Sequence, residues 1–109
     1  MEVKYSKTKD ALTLYVYGEL DEYSASNAKN ILDKVIIDNV NTQKVVFDLS
    51  GLSFMDSTGI GLLIGRYKKI KQFNLPVYIQ GASVATEKII ELAGLYGIMP
   101  KCLGVNIYE

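Results

Sequence analysis

A carboxylate and two hydroxyls stand side by side in DSTGIG, residues 56–61. Apolar Phe54 and Met55 precede this segment and a helical pattern follows it, which places the polar residues at the start of a helix. Asp and Ser both favour the N-cap, so either Asp56 or Ser57 could cap the helix. The positive end of a helix also favours negative charge, so the fold would tolerate a phosphate on Ser57. Capping and phosphorylation are both possible from the residue types.

A phosphate on Ser57 would change the charge of this surface. It would add about −1.5 to −2 charges next to Asp56. Negative charge would then be concentrated where a partner protein would dock. The residues therefore suggest a switch in which phosphorylation breaks a complex without unfolding the chain.

Glycines recur in the helix that follows. At 3.6 residues per turn, Gly61 and Gly65 lie off the apolar stripe that should face the core. That stripe comprises Ile60, Leu63, Ile64, Tyr67 and Ile70. Glycine inside a helix costs about 1 kcal/mol relative to alanine. The two glycines either allow close packing against a neighbouring element or leave a bare surface for another protein, and their position off the stripe favours the bare surface.

A small-molecule or nucleotide site is the alternative for the same segment. Gly59, Gly61 and Gly65 resemble a dinucleotide fingerprint, but the third glycine is one residue late for G-x-G-x-x-G. The next predicted strand ends in Gln80 rather than an acidic residue, and no P-loop occurs. The chain has no histidine, and its single Cys102 cannot hold a metal alone. We therefore predict no catalytic residue, no cofactor and no metal.

Length and charge limit the remaining classes. A chain of 109 residues fits one domain, residues 1–109. Its 12 basic and 12 acidic residues give zero net charge without a dense basic cluster, which disfavours nucleic acid as a partner. Neither a signal pattern nor an apolar run of about 20 residues is present, which disfavours a membrane. We expect a cytoplasmic monomer with a half-buried structural thiol.

The elements that must position the motif alternate along the chain. Strands are predicted at residues 3–8, 11–18, 44–49 and 76–81, and the tail 102–109 could add another. One helix is predicted after the N-cap Ser24, a second begins at the DSTGIG motif, and a third follows the N-cap Ser83. The third helix is expected to end at Gly94 or Gly97. This order predicts an α/β fold with a mixed, mostly parallel sheet of four to five strands and an antiparallel first strand at its edge. Loops should gather at the carboxyl ends of the strands, at residues 18–23, 50–56 and 81–83.

Three stretches resemble a known family. DLSGLSFMDSTGIGLLIGRYK is similar to the motif of STAS domains, specifically the bacterial anti-sigma factor antagonists, and closer to those of the sporulation sigma-F circuit. GELDEYSA and LPVYIQGAS…IIELAGLYGIM resemble other stretches of that family, so the likeness covers nearly the whole chain. Family members usually continue into a further helix, which leaves the packing near the C-terminus open.

The resemblance implies a binding module that is a substrate rather than an enzyme. Ser57 matches the serine that the cognate anti-sigma factor, itself a serine kinase, phosphorylates. The unphosphorylated antagonist binds this kinase and frees the sigma factor, and a PP2C-type phosphatase restores the phosphorylated form. We predict that the partner-binding residues are Asp21, Met55, Asp56, Thr58, Gly59, Gly61 and Gly65. A STAS module of another circuit, such as general stress, stays open.

Overall fold

A computed structural model describes residues 1–102. It contains five strands: β1 (Glu2–Lys7), β2 (Leu12–Leu20), β3 (Val45–Asp48), β4 (Leu52–Met55) and β5 (Val77–Gln80). The helices are α1 (Ala25–Asp38), α2 (Ser57–Lys71) and α3 (Val84–Leu92), and a short 3₁₀ turn follows at Leu95–Gly97. The tail strand predicted at 102–109 lies, apart from Cys102, outside the described residues. Cys102 is a free, half-buried thiol, as predicted.

The strands form one mixed sheet. Its order is β1-β2-β3-β5, and β4 also pairs with β2. β1 runs antiparallel to β2 at the edge, and the other pairings are parallel. These pairings confirm the predicted α/β fold with its antiparallel edge strand.

The strand β2 has two partners along one side. Its first half pairs with β3, beginning at Leu12 opposite Val45, and its end pairs with β4, where Leu20 lies opposite Met55. Within the β2–β4 pairing the register shifts between Gly18 and Glu19, and the φ of Gly18, 94°, lies in the left-handed region that favours glycine. β2 therefore carries the chain from the middle of the sheet to the edge where α2 begins.

The prediction of a loop over residues 50–56 is wrong for its middle part, because Leu52–Met55 form the strand β4. After β3 the chain turns tightly, because the Leu52 N–H donates to the Leu49 carbonyl at 3.1 Å. The Gly18 N–H then donates to the Gly51 carbonyl at 3.0 Å, which aligns the returning chain with β2. Leu52 and Met55 are buried, so the segment is held by packing as well. The apolar residues of this segment, Leu52, Phe54 and Met55, neither alternate nor form one continuous run, so they give no clear strand pattern, which explains the error.

The core lies between the sheet and the helices. The apolar run of β3, Val45 to Phe47, is buried throughout, as expected of a strand covered on both faces. α1 buries one stripe and packs against α2, β1 and β2. That stripe comprises Ala28, Leu32 and Ile36. Within residues 1–102, no helix combines the length and apolar character that crossing a membrane requires.

The helix α3 begins and ends close to the prediction. The Ser83 hydroxyl accepts the Thr86 N–H at 3.2 Å, which confirms the predicted N-cap. The helix ends at Leu92, and Gly94 follows with a left-handed φ of 71°. Left-handed glycine after a helix is a common stop signal.

A small polar network joins α3 to the residues that follow it. The Glu87 carboxylate accepts the Tyr96 hydroxyl at 2.9 Å and pairs with the Lys101 ammonium at 2.6 Å. Burial, and then the hydrogen bond to the Glu87 carboxylate, raise the pKa of Tyr96 to about 12. The hydrogen bonds from Lys101 and Tyr96 lower the pKa of Glu87. Each of these directions favours the protonation states present at neutral pH.

Candidate functional site

The hydrogen bonds at the start of α2 show which of the two candidates, Asp56 or Ser57, caps the helix. Asp56 is the N-cap, and its Oδ1 accepts the Thr58 N–H at 2.9 Å. Ser57 is the first residue of the helix and is exposed, and its hydroxyl has no hydrogen-bond partner among residues 1–102. Capping is thus the task of Asp56, and the Ser57 hydroxyl is free to react or to contact a partner.

A second carboxylate, that of Asp21, organises the turn before α1. Its Oδ1 accepts the N–H groups of Tyr23 at 3.0 Å and Ser24 at 3.1 Å. In return the Asp21 N–H donates to the Ser24 hydroxyl at 3.0 Å, which makes a reciprocal capping arrangement. Ser24 lies at the N-cap position of α1, as predicted, but its side chain makes no cap hydrogen bond to the helix. The Asp21 carboxylate instead holds the turn that leads into α1.

The sheet brings the two carboxylates to one edge. Leu20 and Met55 are partners in the parallel pairing of β2 with β4. The residues that follow them, Asp21 and Asp56, therefore emerge from adjacent strand ends. Negative charge is thus already present where Ser57 begins α2. A phosphate at this position would add to charge that the fold itself places there.

Met55 and Gly59 lie beneath this surface. Met55 is 1% exposed, whereas neighbouring Phe54 is 48% exposed. A Cβ on Gly59 would lie 2.4 Å from Cγ of Met55 and 3.2 Å from Cγ of Leu20. Gly59 therefore lets the start of α2 pack closely on the strand ends. Direct contact of Met55 or Gly59 with a partner stays a prediction.

Gly61 and Gly65 are different from Gly59. A Cβ at either position would meet no atom within 4 Å, apart from the helix's own nearby backbone. Close packing inside the chain therefore does not explain these two glycines. The position of these glycines off the apolar stripe predicts such a bare surface. Binding of a partner there stays a prediction.

Comparisons with known proteins agree with this architecture. The STAS domain profile matches residues 2–109. This chain belongs to the STAS domain family. An anti-sigma-B factor antagonist of Staphylococcus aureus is 34% identical over 84 residues, which are 77% of this chain and 76% of that protein. An anti-sigma F factor antagonist of Paenibacillus polymyxa is 27% identical over 100 residues, 92% of this chain and 85% of that protein.

A solved structure shows the same fold at lower identity. The anti-sigma factor antagonist SpoIIAA in its unphosphorylated form superposes with a TM-score of 0.75 at 21% identity. The match covers 94% of this chain and 89% of that chain. The phosphorylated form of SpoIIAA, from Bacillus, superposes with a TM-score of 0.67 at the same identity, over 94% of this chain and 92% of that chain.

The helix α2 of this STAS domain buries more than the predicted stripe. Ile60, Leu63 and Ile70 are buried as predicted, whereas Ile64 and Tyr67 are only half-buried. Two further side chains of α2 are buried, and they are Leu62 and Arg66. The buried face is wider than the helical stripe suggests, because α2 packs against α1 as well as against the sheet.

Arg66 is the residue that sequence reasoning missed. Its Nε lies 2.7 Å from Oδ1 of Asp33 on α1, and the side chain is almost fully enclosed. The Nε–H bond is not directed at that oxygen, so the contact is an ion pair rather than a hydrogen bond. Arginine in a helix is usually exposed, and a partner 33 positions earlier leaves no local signal.

A groove of about 380 Å³ runs between α1 and α2, beside the glycines. We call it the α1–α2 groove. It is lined by Ala25, Ser26, Lys29, Thr58, Gly61, Leu62, Gly65 and Arg66. Of the predicted partner-binding residues, Thr58, Gly61 and Gly65 therefore share one surface. Within residues 1–102, no cluster of metal-ligating side chains occurs.

Proposed function

We propose that this STAS domain is an anti-sigma factor antagonist, that its unphosphorylated form binds a serine-kinase anti-sigma factor, and that Ser57 is the phosphorylation switch. The observation that carries the proposal is the free, exposed Ser57 hydroxyl at the start of α2, next to a carboxylate that already caps the helix. Family membership and the names of the two relatives support it. Binding of the antagonist to the kinase would release the sigma factor.

The docking surface in this proposal has two layers. Its outer layer comprises Asp21, Asp56, Ser57, Thr58, Gly61 and Gly65. Met55 and Gly59 form the layer beneath, where they fix the position of the helix start against the strand ends. The bare glycines let the partner's backbone approach α2, and the acidic residues set the charge that the partner must match. Burial of Met55 makes it a supporting residue unless docking rearranges the strand end.

The switch requires only a hydroxyl from this chain. The Ser57 Oγ attacks the γ-phosphorus of ATP held by the kinase, the bond from that phosphorus to the bridging oxygen breaks, and ADP leaves. The hydroxyl proton passes to a base of the kinase. The new phosphate places about −1.5 to −2 charges beside Asp56, which disfavours the docked state. A PP2C-type phosphatase would hydrolyse the phosphoserine, and the chain would act as a cytoplasmic monomer that supplies no catalytic group.

Two circuits fit this proposal. The resemblance in the DSTGIG region favours the sporulation circuit of sigma-F, whereas one of the two relatives is named for sigma-B. Partner choice depends on surface residues of both proteins. Binding measurements with the anti-sigma factor of each circuit from the same genome would assign the chain to one of them.

Site-mapping mass spectrometry tests the switch. The chain is incubated with ATP, Mg²⁺ and the kinase-type anti-sigma factor of the same genome, and its intact mass and phosphopeptides are measured. We expect one added phosphate, on Ser57, and none in Ser57→Ala. The matched control is Ser53→Ala, because Ser53 is also exposed but lies in β4, and this variant should be phosphorylated normally. No phosphate on the wild type, with a kinase that modifies another substrate, would contradict the proposal.

Calorimetry tests the nucleotide-binding alternative. ATP or GTP is titrated into the isolated chain. We expect no heat of binding, because the glycine spacing departs from a dinucleotide fingerprint and the groove beside the glycines is open rather than enclosing. Tight binding of either nucleotide to the isolated chain would favour the alternative.

A further inference from the structure

A buried arginine whose Nε–H lacks a directed acceptor lines the α1–α2 groove. Arg66 is 6% exposed, yet the described residues accept no directed hydrogen bond from its guanidinium. Its one close partner is Asp33, which compensates charge without taking the Nε–H. Buried polar groups are normally satisfied, and the buried Nε–H of Arg66 has no directed acceptor among the described residues. The guanidinium has further N–H groups that could donate to an acceptor from outside the chain.

The rest of the groove supplies further donors and little obstruction. The Lys29 ammonium and the hydroxyls of Ser26 and Thr58 line it, and none of its lining residues is acidic. Gly61 and Gly65 leave α2 bare, since a Cβ at either position would meet nothing within 4 Å. The groove thus combines cations, hydroxyl donors and room for a backbone.

The charge of the groove matches a single carboxylate. Lys29 and Arg66 carry two positive charges and Asp33 carries one negative charge, so the sum is one positive charge. A carboxylate would balance it, whereas a phosphate monoester carries about −1.5 to −2 charges. The planar guanidinium also matches carboxylate geometry, because it can donate two parallel hydrogen bonds.

We propose that the α1–α2 groove binds the carboxylate of an acidic side chain on the docked segment of the anti-sigma factor. This inference rests on the proposed function and adds the chemistry that the partner must present. Arg66 lies nine residues after Ser57, which is about 14 Å along the helix axis. A segment lying over Gly61 and Gly65 would therefore anchor its acidic residue at Arg66 while the kinase reaches the hydroxyl of Ser57.

Calorimetry with the kinase tests this inference through charge variants of the full chain. Lys29→Gln should weaken binding about three- to ten-fold, as loss of a rim charge does, and Lys29→Glu should weaken it further. Arg66→Gln should weaken binding by about thirty-fold or more, because a desolvated carboxylate would lose its partner. The matched control is Lys9→Gln, because Lys9 lies in the turn between β1 and β2, at the opposite end of β2 from Asp21, and should bind like the wild type.

The variant Asp33→Asn separates a binding role of Arg66 from a structural one. If the groove accepts a carboxylate, removal of the competing charge should keep or tighten binding. If the Arg66–Asp33 pair only holds α1 against α2, Asp33→Asn should weaken binding as much as Arg66→Gln does, and the inference would be overturned. Circular dichroism and thermal unfolding of each variant establish that it is folded. The exposed Lys29→Glu variant decides the matter if Arg66→Gln does not fold.

The outcomes distinguish this inference from the proposed function. A wild type that does not bind the kinase would overturn both. A wild type that binds, with Lys29 and Arg66 variants that bind equally well, would overturn only the carboxylate groove. Binding of inorganic phosphate or ATP to the isolated chain, lost in Arg66→Gln, would assign the groove to a phosphate and would also overturn the inference.

Discussion

At the scale of single residues, Asp56 and Ser57 show how neighbours of similar capping preference take different tasks. The carboxylate of Asp56 accepts the Thr58 N–H, and the Ser57 hydroxyl is left without a partner among the described residues. A hydroxyl that also capped the helix would have to break that bond before it could react. The separation of tasks makes the proposed modification independent of helix stability.

Ser57→Asp should therefore abolish binding of the anti-sigma factor while the fold is kept. The added carboxylate lies at the helix N-terminus, where negative charge is tolerated, but it stands beside Asp56 on the docking surface. A pull-down with the kinase measures binding, and thermal unfolding measures the fold. Ser57→Ala, which adds no charge, should bind like the wild type. Normal binding of Ser57→Asp would show that charge is not the switch.

Asp56→Ala should destabilise the chain by about 1 kcal/mol, because the helix loses its N-cap. Asp56→Asn is the matched control, since an asparagine side chain also caps well but carries no charge. Urea unfolding gives the free energy of unfolding of each variant. Equal stability of Asp56→Ala and the wild type would mean that water replaces the cap without cost.

At the scale of the element, α2 carries glycines with opposite roles. Gly59→Ala should destabilise the chain by about 1–3 kcal/mol, because its Cβ would overlap Met55. Gly61→Ala and Gly65→Ala should instead stabilise the isolated chain by up to about 1 kcal/mol each, since alanine is the better helix former and meets no obstruction.

Binding should separate from stability in these variants. We expect Gly61→Ala and Gly65→Ala to weaken binding of the kinase even though they strengthen the fold. The added methyl groups would take up space on α2 that the docked kinase needs. Urea unfolding and calorimetry on the same samples measure the two quantities. Unchanged binding in both variants would remove the glycines from the docking surface.

The elements also show what the sequence allows one to predict. Within residues 1–102, and apart from the extra strand β4, the order of strands and helices, the antiparallel edge and the Ser83 cap follow from local patterns and are confirmed. The strand β4 is missed because its four residues owe their conformation to pairing with β2, 34 positions earlier at Gly18 and Leu52. The burial of Arg66 and the packing role of Gly59 are missed for the same physical reason. Each feature depends on residues of other elements that pack against it, and a helical wheel shows only the residues of one helix.

At the scale of the whole molecule, the Glu87 network predicts how stability changes at alkaline pH. The pKa of Tyr96 is raised from 10.0 to about 12 in the fold, so the neutral phenol is favoured there. Its contribution to stability is complete below pH 10 and is lost as the pH rises through 12. The hydrogen bond to Glu87 also raises the pKa of Lys101, so the contribution of Lys101 to stability is lost in the same direction, as the pH rises.

Tyr96→Phe should be less stable than the wild type at pH 8 and should lose less stability between pH 10 and 12. Urea midpoints across this range measure the effect. Tyr23→Phe is the control, because Tyr23 is almost fully exposed and should follow the wild type. Parallel curves for Tyr96→Phe and the wild type would exclude the phenol as the titrating group.

The two partners of β2 impose an order on biosynthesis. A chain emerging from the ribosome exposes Leu20 and Asp21 early, but the end of β2 gains its partner only when Met55 follows. The outer side of β3 stays open until β5 is made. The edge that presents Asp21, Asp56 and Ser57 is therefore assembled only after β4 and the start of α2 have been made, from segments that are distant along the chain. A protein that recognises this edge as a whole requires a chain that has grown past β4 into α2, so the pairing of one strand sets the earliest point at which the domain can be recognised.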